Sequence, residues 1–64
     1  MNAAFIEKVR EHGIEIGYRA SVGGFFASNP YHPSDPLYEH WADGCALGIH
    51  EAREELGLEP ANDN

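Results

Sequence analysis

The sequence predicts an all-α chain: two helices of about 20 residues each, roughly 30 Å long, joined by an ordered linker rich in proline and aromatic residues. Three observations predict it. Apolar and glycine residues recur at spacings of three and four on both sides of the chain's centre, which is the period of a helix face. Three prolines, Pro30, Pro33 and Pro36, fall within seven residues and exclude regular helix there. Capping residues stand at the expected ends: Asn2 and Asp35 as N-caps, Gly57 as a C-cap.

The first helix opens at residue 3, where the Asn2 side-chain oxygen can accept from the free backbone amides of the first turn. Phe5, Ile6 and Val9 begin its apolar side, with Glu7, Lys8, Arg10 and Glu11 facing water. Residues 14–22 allow two readings. Ile14, Ile16, Tyr18, Ala20 and Val22 alternate at period two, as in a strand that follows a C-cap at Gly13. Alternatively the helix continues, and Phe5, Val9, Gly13, Ile16, Ala20 and Gly23 form one seam. The helix is favoured, because the chain offers no second strand and a lone strand leaves its backbone groups unpaired. Gly13 and Gly17 then cost roughly 1 kcal/mol each relative to alanine, and close approach of another helix is the compensation. Gly23–Gly24 is the natural end.

Phe25, Phe26 and Tyr31 supply apolar groups for the linker to bury, and prolines bias their preceding residues towards extended backbone. The second helix starts at Pro36, a residue suited to the first helical position, and Glu39 suits the positive end of the helix dipole. Leu37, Trp41, Gly44, Gly48 and Ala52 make its core stripe, widened by Tyr38, Cys45, Ile49 and Leu56. Gly57 ends it, with Leu58 placed for the usual hydrophobic contact and Pro60 just beyond. The domain is therefore expected over residues 1–58, with 59–64 a frayed tail. Gly13, Gly17, Gly44 and Gly48 read as helix-contact notches, or alternatively as the seam of a homodimer that covers apolar surface two helices leave exposed.

Charge is uneven. Residues 1–34 are balanced, whereas residues 35–64 carry Arg53 against eight carboxylates, so the whole net charge of −7 lies there. Such a surface repels phosphate backbones and suits a basic protein partner. A single cysteine, no apolar leader and no membrane-length apolar run give the expectation of a cytoplasmic, non-membrane protein. No cofactor or metal is expected. His12, His32, His40 and Cys45 fall at no zinc spacing, and His50-Glu51 lacks the second histidine of a metalloprotease motif. Cys45 lies five residues from both His40 and His50, so the helix points them apart, and no enzyme is expected.

Gly17-Tyr18-Arg19-Ala20, Gly24, Asn29-Pro30-Tyr31 and Trp41-Ala42-Asp43-Gly44, in that order over about residues 13–53, resemble the ribosome modulation factor family, which includes the CrpP-like proteins. The resemblance implies two helices joined by an ordered linker. It also implies association with the small ribosomal subunit and its rRNA in stress or stationary phase. On that basis Tyr18, Arg19, Asn29, Pro30, Tyr31, Trp41 and Gly44 are candidate binding residues. Ribosome modulation factor is strongly basic and this chain is acidic; only Lys8, Arg10 and Arg19 can offer RNA a cationic patch. The CrpP-like proteins carry an association with drug modification, but no glycine-rich phosphate loop followed by Lys-Ser/Thr occurs here. The competing expectation is an acidic adaptor or homodimer with no RNA contact.

Overall fold

A computed structural model describes residues 2–57 as two α-helices, α1 (Ala3–Gly23) and α2 (Pro36–Leu56), with no strand among the described residues. Residues 14–22 are helical. The Leu58 contact and the 59–64 tail lie outside the described residues.

The ends form as their residues dictate. Asn2 Oδ1 accepts from the amides of Ala4 (2.8 Å) and Phe5 (3.2 Å). Asp35 Oδ1 accepts from the Leu37 amide at 2.9 Å, with Pro36 opening α2. Gly24 and Gly57 take left-handed backbone, with φ of 73° and 67°, which a Cβ would strain. The Ala20 carbonyl accepts from the amides of both Gly24 (2.8 Å) and Phe25 (3.0 Å), the latter being the six-to-one bond of a Schellman ending.

The two helices run parallel. Gly44 lies against Arg10, Gly48 against Ile14 and Tyr18, and Glu55 receives the Tyr18 hydroxyl, so positions advance together along both helices. The linker must therefore return along their full length. A 21-residue helix is about 31 Å long, and twelve residues, 24–35, reach at most about 40 Å. That demands nearly extended backbone, which accounts for prolines in this stretch.

Glycines let the helices meet at backbone distance. A Cβ on Gly13 would meet the Trp41 carbonyl, on Gly17 the Cys45 carbonyl, on Gly44 the Arg10 carbonyl and on Gly48 the Ile14 carbonyl. These four notches are thus filled within one chain, by the packing of α1 on α2. The α2 core is Leu37, Trp41, Gly44, Gly48 and Ala52, as its periodicity predicts. In α1 the buried residues are Val9, Gly13, Gly17 and Ala20. Gly17 occupies the place expected of Ile16, which packs at the edge, while Phe5 is half exposed. Val9, Leu37 and Trp41 form the apolar centre, with Ile6, Ile16, Ala27, Tyr31 and Cys45 against it.

One expectation is corrected here. The linker is ordered, but not by burying its phenylalanines: Phe25 is 56% exposed and Phe26 98%. Phe25 folds back over Gly23, whose missing side chain makes room for the ring. Immediately after a helix stop, Phe26 has no seam to enter. Ala27 and Tyr31 pack against the core instead, and polar bonds do the rest. The Ser34 amide donates to His32 Nδ1 at 3.1 Å and the Asp35 amide to the His32 carbonyl at 2.8 Å.

Candidate binding surface

Asn29 sits where the returning linker passes the start of α2. Its Nδ2 donates to the Tyr38 carbonyl at 3.0 Å, and its Oδ1 accepts from the Tyr31 amide at 3.0 Å. One side chain thus holds the linker to the helix and shapes the turn through exposed Pro30 to half-buried Tyr31. Asn29→Ala is expected to lose about 1–2 kcal/mol, read as a lower urea midpoint, whereas an unchanged midpoint would show that apolar packing alone holds the linker.

Trp41 is only 2% exposed. Its indole N–H donates to His12 Nδ1 at 2.9 Å, with ring centroids 6.1 Å apart at 58°. This bond requires an imidazole whose Nδ1 carries no proton. Tyr18 reaches the far end of the seam, where its hydroxyl donates to Glu55 Oε1 at 2.8 Å. That bond holds the Tyr18 phenol above its ordinary pKa, reinforced by burial and by the negative charge of Glu55 and Glu51.

Of the seven residues the family motifs single out, Tyr18, Asn29, Tyr31, Trp41 and Gly44 hold the helices and linker together. Arg19 and Pro30 are exposed. Arg19 pairs with Glu15 at 2.8 Å on the same helix, a solvent-facing pair of small energetic value. The three cations of α1 do not converge. Lys8 and Arg19, eleven residues apart, share one side of the helix at about 16 Å separation along its axis, and Arg10 stands about 200° round from Lys8. Arg10 lies instead with Ala3, Ala4, Ile6 and Glu7 around a shallow hollow.

Comparison with family models, with curated proteins and with solved structures finds no match.

Away from the seam α2 is acidic, presenting Glu39, Asp43, Glu51 and Glu54, while exposed Glu55 reaches Tyr18 on α1. His50 Nε2 lies 3.2 Å from Glu54 on that side. Burial pushes the Cys45 thiol above its ordinary pKa, the opposite of what an activated nucleophile needs. Among the described residues no three His, Cys, Asp or Glu side chains converge as metal ligands, and no helix is long and apolar enough to cross a membrane.

Two adjoining hollows lie between the linker and α2. One, about 400 Å³, is bounded by Phe25, Phe26, Ile49 and Arg53 among others. The other, about 360 Å³, is bounded by Tyr38, Ala42, Cys45 and Ala46, and Ala27 and Ile49 line both. Sequence periodicity directs attention to the buried stripe of α2 and passes over this second one. Its signal is present nonetheless: Ala42, Ala46, Ile49 and Arg53 recur at spacings of four, three and four.

Proposed function

We propose that this protein is a non-catalytic binding protein of the ribosome modulation factor type, associating with the small ribosomal subunit or its rRNA in stress or stationary phase. The observation that carries the reading is the mutual dependence of the motif residues. Gly17 and Gly44 make the helix crossing, Trp41 fills the centre and Asn29 ties the linker to α2, so the motif describes one packed unit rather than scattered coincidences. Lys8 and Arg19, on one side of α1, are the residues through which rRNA would be met.

The test is co-sedimentation of the chain with ribosomal subunits from starved cells at moderate salt. The expected result is enrichment in the small-subunit fraction. Lys8→Glu with Arg19→Glu should weaken it and lower the salt dependence by a slope of about 2. Absence from every ribosomal fraction would overturn the reading. A second reading, an acidic module that meets a basic protein through α2, is favoured by the concentration of carboxylates on that helix. It predicts that reversing Glu51 and Glu54 to lysine, which leaves the Tyr18–Glu55 bond in place, abolishes capture while Lys8 and Arg19 are dispensable.

A further inference from the structure

We infer that the face of α2 carrying Glu39, Ala46 and Arg53, together with the neighbouring Phe26, is a two-fold interface between two copies of this chain. Glu39, Ala46 and Arg53 are spaced by seven and fall within about 40° of one another round the helix, all three exposed. Ala46 is equidistant in sequence from the acid and the base. Two α2 helices packed antiparallel about an axis at Ala46 therefore bring Arg53 of each copy to Glu39 of the other, twice per dimer. A symmetric dimer requires this self-complementarity of one patch. Alanine at the axis and at Ala42 lets the helices approach closely.

The charges choose the occupant. Arg53 is the only cation in residues 35–64 and the only charged residue lining the two hollows. Neither it nor Glu39 is ion-paired to another described residue. A basic partner would meet Arg53 with repulsion. The required partner brings a carboxylate seven residues from a small residue on a helix, which is what a second α2 presents.

The apolar part of the patch has a reason to be covered. Phe26 is 98% exposed beside Ile49 and Arg53, and its position is held by the Phe25 amide bonded to Ala20. A second helix on α2 would shield this ring and the hollows beside it. A dimer at the small end of stable interfaces needs about 600 Å² per copy, less than a seventh of the chain's 4504 Å² surface. One side of a 21-residue helix and the adjoining linker can supply that area. This inference goes beyond ribosome binding, and the two can fail separately.

The experiment is the solution mass of the full chain from micromolar to millimolar concentration, by sedimentation equilibrium. The expected result is a monomer–dimer equilibrium. Phe26→Glu, at a position too exposed to disturb folding, should weaken it by more than about tenfold, since each copy loses an exposed aromatic ring beside Arg53 and gains a charge there. Arg53→Glu and Glu39→Arg should each weaken it by about tenfold, because each pair occurs twice, and the double reversal should restore most of the loss. Helical circular dichroism confirms that each variant is folded. A monomer at every concentration overturns the inference and leaves the face to a different chain. A dimer indifferent to Phe26→Glu, or charge reversals that do not compensate, overturns it equally.

Discussion

Gly17→Ala combined with Gly44→Ala is expected to remove about 4 kcal/mol of stability. On an isolated helix each change would stabilise, by about 1 kcal/mol of helix propensity. Here each added methyl meets a backbone carbonyl of the opposite helix, Cys45 for Gly17 and Arg10 for Gly44. Backbone cannot rotate away as a side chain can, so the helices must separate. Overpacking of this kind costs about 3 kcal/mol, leaving a net loss of about 2 kcal/mol for each single variant. A domain of this length has about 3–10 kcal/mol in total, so two such losses remove much or all of it. Urea titration followed by circular dichroism measures this directly. Single variants at or above the parent's midpoint would mean that propensity outweighs contact and that the helices meet more loosely than described.

Trp41→Ala is the second large effect, at about 3–5 kcal/mol. The side chain is 2% exposed and belongs to the buried Val9–Leu37–Trp41 cluster, so its removal leaves a cavity against those side chains. Trp41→Phe separates the ring from its donor. It retains an aromatic body but loses the N–H given to His12, and about 1–2 kcal/mol is expected. His12→Ala keeps the indole and removes its acceptor, with an expected loss of about 1 kcal/mol unless water replaces the imidazole. Equal losses for Trp41→Phe and Trp41→Ala would place the energy in the hydrogen bond rather than in packing.

The helices were legible because their signals are local. Asn2, Asp35 and Gly57 act through bonds to residues within four positions and Pro36 through its fixed φ, and the core stripe of α2 is a matter of spacing alone. The four glycine notches were legible for a related reason: a helix tolerates such residues only where something must come close. The direction of α2 was not legible in the same way, since a seam at spacings of three and four reads identically along either sense of the partner. Only the linker's length and its prolines hold that information. Phe25 and Phe26 misled because burial was inferred from side-chain character. Their placement is decided by the left-handed turn at Gly24, which takes the chain off the seam. The cations of α1 looked like one patch in sequence, yet Arg10 is turned away from Lys8 and Arg19 by helical rotation.

The parallel course of the helices has a kinetic consequence. In an antiparallel helical hairpin, contacts next to the turn form first and the rest zip up behind them. Here Arg10 meets Gly44, Ile14 meets Gly48 and Tyr18 meets Glu55, residues 34, 34 and 37 positions apart. No short loop exists from which the seam can grow, and each crossing contact must await closure of roughly half the chain. Folding speed falls as the mean separation of contacting residues rises. This small all-helical protein should therefore cross a mainly entropic barrier more typical of mixed α/β domains than of helical bundles. A linker already stretched by its prolines lowers that barrier by narrowing the search for the second helix.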